Sequence, residues 1–304
     1  MNVVSSLIAL IGNTPLVKLP LGNFCLYAKL EYLNPGGSIK DRTALYMIRE
    51  AEKRNLLLPG GTIIEASSGN QGAAAAMIGN VLCYKTIVTM SEKVSNEKKS
   101  IFKAYGAELV LCKPTADFND PEHYYQVARR LAQEISNSYF LNQYFNMDNS
   151  NSHFFHIAPE INIQIGDKLT HLFIAMGSGG TAYGIARYFK LIKPEVKIIV
   201  VDSENSFQAT NGNPQPYYLD GMGIDYDTPF FDKNLYDEII TVSDTEVHVT
   251  LKKLARQYGF LVGPSSGGTV AAIEKYKDKL LSTDVVVTLF PDSGRAYLSK
   301  EYYN

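Results

Sequence analysis

Apolar and polar positions along this chain alternate between two periods. Short runs rich in β-branched and aromatic residues predict strands at Phe24–Glu31, Thr62–Ala66, Lys85–Met90 and Glu108–Cys112. Runs at Leu172–Met176, Val196–Asp202 and Val285–Phe290 read the same way. Helix-like stretches lie between them. One is amphipathic, Arg42–Arg54, closed by Pro59-Gly60-Gly61; another is alanine-rich, Gln71–Ile78. Asn96–Tyr105 and Tyr183–Lys190 complete the set. Strand–helix alternation of this kind predicts an α/β protein with mostly parallel sheets and crossover helices. Ligands in such folds bind beyond the carboxyl ends of strands, so chemistry is sought in the strand-to-helix loops. The weakest pattern is Ser203–Asp232, which reads as a binding loop or a surface excursion.

Four loops stand out. Asn34-Pro-Gly-Gly-Ser-Ile-Lys40 delivers a lysine at a helix entry, where the positive helix terminus disfavours its protonated form. A neutral amine suits Schiff-base chemistry, and a solvated turn lysine explains the loop equally well. In Glu65-Ala-Ser67-Ser68-Gly69-Asn70-Gln71-Gly72, amides and hydroxyls suit a carboxylate, although serine and asparagine are also ordinary helix caps. Gly177-Ser178-Gly179-Gly180-Thr181 suits a phosphate at a helix N-terminus. With Ala182 and Asp202 it also matches the loose dinucleotide fingerprint, which keeps a nicotinamide dehydrogenase open. Gly263-Pro-Ser265-Ser-Gly-Gly268, taken alone, reads as a helix cap.

Composition narrows the classes. The 304 residues allow one large domain or two ordinary ones, and 45% hydrophobic content argues against disorder. Twenty-nine basic against 31 acidic residues give a net charge of −2, so nothing draws in nucleic acid or an anionic membrane. Cys25, Cys83 and Cys112 form no C-x-x-C pair, and their odd number fits a reducing compartment, hence the cytoplasm. His153 and His156 are an i,i+3 pair with no acidic or cysteine partner nearby, so no metal is expected. The start, Met1-Asn-Val-Val-Ser-Ser, lacks a basic n-region, and no apolar run nears the roughly 20 residues of a membrane helix.

In order and content the four loops resemble the pyridoxal-phosphate enzymes of the cysteine synthase and cystathionine β-synthase family. The likeness runs from Ile11-Gly-Asn-Thr-Pro-Leu-Val17 to Pro291-Asp-Ser-Gly-Arg-Ala-Tyr-Leu-Ser-Lys300. Its most specific stretches are Lys29–Arg42, Leu56–Asn70 and Asn142-Gln143-Tyr144. Pro114–Glu122, Val127–Leu131 and Gly221–Tyr226 lean toward cystathionine β-synthase. The resemblance implies a fold type II architecture of two domains, each a mostly parallel twisted sheet flanked by helices, with the cofactor in the cleft between them. It implies a smaller domain at 37–146 and a larger one built from 1–36 and 147–304.

By the same resemblance, Lys40 holds pyridoxal 5′-phosphate and acts as the general base, and Asn70 meets the ring hydroxyl. Gly177, Ser178, Gly179, Gly180 and Thr181 cradle the phosphate, and Ser265 faces the pyridine nitrogen. Ser67, Ser68, Gly69, Gln71 and Gln143 bind the substrate carboxylate. The implied chemistry is β-replacement or β-elimination on serine, O-acetylserine or cysteine through an α-aminoacrylate, with a thiol, sulfide or water as nucleophile. Small amino-acid and thiol substrates and a homodimer are the implied partners. Asp225, in the irregular loop, is the candidate base for the second half-reaction; with water it would turn cysteine into serine and hydrogen sulfide. A turn aspartate is the plainer account of it. Departures from the family pattern are Gln71 and Ser67, where threonine is usual, and His156-Ile-Ala158, which replaces a threonine pair; they bear on substrate identity. No haem extension or regulatory module is expected. A non-catalytic sensor on the same scaffold would have no need of Lys40.

Overall fold

A computed structural model describes residues 3–115 and 117–303, so Met1, Asn2 and Ala116 of the segments quoted above lie outside it. In chain order the elements are β1 (Leu16–Leu19), β2 (Cys25–Leu30), α1 (Lys40–Lys53), β3 (Thr62–Ala66), α2 (Asn70–Val81) and β4 (Lys85–Ser91). Then come α3 (Asn96–Ala104), β5 (Glu108–Cys112), α4 (Tyr124–Glu134), β6 (Ser138–Phe140), α5 (Met147–Ser152) and α6 (Ala158–Ile165). The last are β7 (His171–Ala175), α7 (Gly180–Ile192), β8 (Lys197–Ser203), β9 (Glu238–Val242), α8 (Asp244–Tyr258), α9 (Pro264–Tyr276) and β10 (Val285–Phe290). The strands read from the sequence recur within a residue or so. Those it passed over are short or polar: β1 is only Leu-Val-Lys-Leu, β6 has three residues, and β9 is a partly exposed edge strand.

The chain divides into two compact units. The first comprises the residues up to Ile11 together with Asn34–Asn149; the second comprises Gly12–Leu33 and everything from Ser150. The division differs from the expected boundaries at the N-terminal end. Residues as far as Ile11, placed by the sequence reading with the larger half, go with the smaller unit because Ile8 and Ile11 pack on its Met47–Ile78 core. The second boundary falls at Asn149 rather than 146.

The first unit is built on a parallel sheet in the order β5-β4-β3-β6. Every residue of β3 is buried, as a strand covered on both faces requires. Ile63 joins Met47, Ile48 and Ala74 under α1 and α2, while Ile64 and Ala66 join Tyr125 and Ala128 of α4. Each fully buried aliphatic side chain of this kind contributes about 1.5–3 kcal/mol. The second unit has the order β1-β2-β10-β7-β8-β9, antiparallel only between β1 and β2. Phe173, Ile199 and Val201 face Val247, Leu251 and Val270 of α8 and α9. Their neighbours Leu172, Ile198 and Val200 are equally buried, so this sheet too is covered on both sides. From Glu204 to Asp232 the second unit carries neither helix nor strand, as the weak pattern there predicts. Among the described residues no helix is long and apolar enough to cross a membrane.

Candidate active site

Helix capping separates two kinds of helix start. Among the described residues four α-helices begin on a side-chain cap: Ser95 accepts from the Lys98 amide at α3, His123 from Tyr125 at α4, Asn146 from Asp148 at α5, and Ser243 forms a reciprocal box with Glu246 at α8. The helices that follow the four singled-out loops have no such bond. Their N-caps are Ile39 for α1 and glycines for the others: Gly69 for α2, Gly179 for α7 and Gly263 for α9. Ser38 and Ser67 nevertheless accept the Lys40 and Gly69 amides beside two of these starts, while the N-cap positions themselves carry no capping side chain. At α1 the Lys40 amide goes to Ser38 Oγ and the Asp41 and Arg42 amides to backbone carbonyls, so the start that best suits an anion is that of α7, whose N-cap is a glycine at φ +88°.

In the first unit the residues gather at the carboxyl end of β3. Lys40, half-buried, opens α1 with its amide donated to Ser38 Oγ at 3.2 Å. Asp41 holds the preceding turn by accepting from the Gly36 amide at 2.6 Å. Beyond β3, Ser67 is buried and accepts from the Gly69 amide at 3.2 Å; half-buried Ser68, Gly69 and Asn70 follow. Gly72 permits the tight return of this loop, since a Cβ there would lie 2.7 Å from the Ser67 carbonyl. Parallel pairing of β3 with β6 sets the Asn142–Gln143 turn alongside, anchored by the Leu141 amide on the Ile64 carbonyl at 3.0 Å. Gln143 is buried and its carbonyl accepts from Asn149 at 2.6 Å. Gln71 is buried as well. Its amide nitrogen lies 3.9 Å from Met47 Sδ, and its Oε1 has no partner.

Glu65 is the group that sequence reasoning missed here. It is completely buried, and neither carboxylate oxygen has a hydrogen bond of normal geometry. Burial raises its pKa to about 8, against the opposing influence of the Ala66 amide, the Lys40 charge and the Asn142 and Gln143 amides. A lone acid inside an otherwise apolar, fully buried strand was the available signal.

In the second unit the carboxyl end of β7 leads into the glycine loop. A Cβ on Gly177 would lie 2.6 Å from the Gly221 carbonyl, and Gly179 sits at φ +88° with Phe230 against it. Gly180 and Thr181 open α7. Thr181 Oγ1 lies 3.2 Å from Nε2 of the buried His153, on a π-helical turn at His153–Ile157. The sequence offered no sign of this pairing across 28 residues. His156 is exposed, with Nδ1 3.0 Å from the Ser152 carbonyl. Ser178 receives the Thr228 hydroxyl on its carbonyl at 3.4 Å. Ser265 is buried at the start of α9, with Gly221 beside its hydroxyl. Asp225 is exposed and makes no hydrogen bond or ion pair; buried Met222 and Ile224 fix the loop around it. Asp202, the acid a dinucleotide site would need, is 1% exposed. Its oxygens are taken by the Ser203 amide at 2.8 Å and the Ser206 hydroxyl at 2.5 Å. A ribose finds no acceptor there, which removes the basis of the dehydrogenase reading.

Taken unit by unit, the glycine cradle at the start of α7 suits a phosphate, and the half-buried lysine at the start of α1 suits an aldehyde. Residues 7–292 match the family described as pyridoxal-phosphate dependent enzyme. The chain belongs to that family. It is 39% identical to cystathionine β-synthase of Apis mellifera over 98% of this chain and 61% of that protein. It is 38% identical to cysteine synthase of Helicobacter pylori (strain ATCC 700392 / 26695), with both chains covered completely. The chain thus spans about three fifths of the Apis mellifera relative. Among solved structures, the O-acetylserine dependent cystathionine β-synthase from Helicobacter pylori superposes with a TM-score of 0.92 at 38% identity, over the full length of both chains. The α/β architecture with mostly parallel sheets is that of fold type II enzymes.

Proposed function

We propose that this chain catalyses β-replacement on serine, O-acetylserine or cysteine, making or breaking the bond between the β-carbon and sulfur. The observation that carries the reading is the glycine loop opening α7, where Gly177 packs on the Gly221 carbonyl and Gly179 turns at φ +88°. Pyridoxal phosphate supplies an electron sink that acidifies the substrate α-carbon.

Lys40 would hold the cofactor's aldehyde carbon through its Nζ and would be the base for the substrate α-proton. Gly177, Ser178, Gly179, Gly180 and Thr181 hold the phosphate with the first amides of α7, and His153 orients the Thr181 hydroxyl. Asn70 donates to the ring oxygen. Ser265 offers the ring nitrogen a hydroxyl in place of a carboxylate, which does not enforce its protonation and favours prompt loss of the β-substituent. Ser67, Ser68, Gly69, Gln71 and Gln143 receive the substrate carboxylate. Asp225, carrying no partner of its own, takes the proton from the incoming nucleophile. If water serves in place of a thiol, the same site releases hydrogen sulfide from cysteine.

Similarity to the Helicobacter pylori protein named as O-acetylserine dependent makes O-acetylserine the first donor to test. A product assay with serine, O-acetylserine and cysteine, each with and without homocysteine or sulfide, decides donor and acceptor. No turnover in any combination by protein that holds pyridoxal phosphate refutes the reading. Asp225→Asn should slow the second half-reaction while leaving elimination intact; equal rates of both halves would remove Asp225 from the mechanism. A cytoplasmic homodimer is the proposed state, with exposed Ile163 and Leu191 on α6 and α7 as apolar contacts, and sedimentation tests it.

A further inference from the structure

We infer that Tyr302 is a positioning residue for the cofactor-phosphate loop, acting through Asp220 and the Gly221–Gly223 turn. This rests on the proposed role of Gly177–Thr181. Tyr302 is 2% exposed, and its ring is held edge-on by His248 and Tyr297, with centroids 5.0 and 5.9 Å away. Its hydroxyl accepts from the Asp220 amide at 3.2 Å and lies 2.8 Å from the Asp220 carboxylate and against the Tyr218 carbonyl. One hydroxyl proton serves those two acceptors. Lys300 adds an ion pair to the same carboxylate.

Asp220 begins the turn that lies against the glycine loop. The Gly223 amide donates to the Met176 carbonyl at 2.7 Å, and the Gly221 carbonyl is the atom Gly177 would strike if it had a Cβ. Gly221 and Gly223 both have positive φ, +79° and +75°, so the turn has little stiffness of its own and relies on its anchors. Met222 is one anchor, packed against Gly268 of α9. The Tyr302 hydroxyl is another, on the same Asp220 that Lys300 pairs with. A cavity of about 590 Å³, lined by Tyr217, Asp220, His248 and Tyr302 among others, borders the latch and gives a released turn room to move.

Tyr302→Phe removes the hydroxyl and keeps the ring. One buried hydrogen bond with a charged partner is worth roughly tenfold in an equilibrium constant. The test titrates pyridoxal phosphate into the full-length chain stripped of cofactor, following the visible absorption band, and records melting without cofactor. Tyr84→Phe is the comparator, since it loses a tyrosine hydrogen bond to Glu52 within the first unit. The expected result is about tenfold weaker cofactor binding for Tyr302→Phe and unchanged binding for Tyr84→Phe, whatever their melting temperatures. Equal affinity in wild type and Tyr302→Phe overturns the inference while leaving the proposed function standing. A wild-type chain that takes up no cofactor overturns the proposed function instead.

Discussion

Glu65 makes the most demanding quantitative prediction. Its carboxyl titrates near 8 in the folded protein against 4.5 as an ordinary side chain, because burial in β3 without good hydrogen bonds penalises the charged form. A raised folded-state pKa means that the stability contribution is complete below about 4.5 and is lost as pH rises through about 8. Between those limits the unfolded chain has released the proton and the folded chain retains it, so stability falls by about 1.4 kcal/mol per pH unit. From pH 5.5 to 7.5 that amounts to roughly 2–3 kcal/mol, the slope easing as pH nears 8. Glu65→Gln keeps the shape and abolishes the titration. Urea unfolding of cofactor-free wild type and variant at pH 5.5, 6.5 and 7.5 should therefore give curves that diverge with pH, the variant gaining on wild type at each step. Parallel pH profiles would show that Glu65 is already ionised at neutral pH and that the argument from burial is wrong. If it holds, Glu65 adds almost no counter-charge toward Lys40 at neutral pH, and the lysine feels the helix terminus more fully.

Three further outcomes are expected. Lys40→Ala should abolish turnover and the absorption band of the enzyme-linked cofactor while leaving the fold intact by circular dichroism. Gln71→Leu removes an unsatisfied buried acceptor at similar volume, so melting should hold or rise. The amino-acid KM should increase about 10-fold or more through loss of a charge-assisted hydrogen bond, with the cofactor spectrum unchanged. Gly179→Ala forces alanine to φ +88° with its Cβ 2.8 Å from Phe230 Cβ. Backbone strain of roughly 1–2 kcal/mol plus the clash should lower both the melting temperature and cofactor retention.

Much of the fold was legible because β3, β4, β5 and β10 are short runs dominated by aliphatic and β-branched residues and bounded by turns. The Ser67–Gln71 and Gly177–Thr181 loops were legible because their glycines and small polar residues fall directly after β3 and β7. Two kinds of information were not local. Whether Asn70 or Ser265 lies at a capped helix start depends on side-chain direction, which the residue type leaves open. The pairing of His153 with Thr181 depends on where α5 is set against α7, a tertiary relation with no signature in either segment. Asp202 shows the reverse error of motif reading: its spacing suits a ribose, yet Ser203 and Ser206 occupy it. The misplacement of residues up to Ile11 has the same origin, since nothing in Leu7–Leu10 says which core it will cover.

The strand order of the second unit carries a consequence for the order of synthesis. β10 lies between β2 and β7, so the strand synthesised after all its sheet neighbours fills the centre of the sheet. Until then the β1–β2 hairpin has no parallel neighbour, and β7 presents an open edge. The first unit is nearly contiguous, from Asn34 to Asn149, and can close long before that. Nascent chains arrested before Val285 should therefore contain a protease-resistant first unit beside a second sheet in two unjoined parts, the state most exposed to aggregation and most dependent on chaperones.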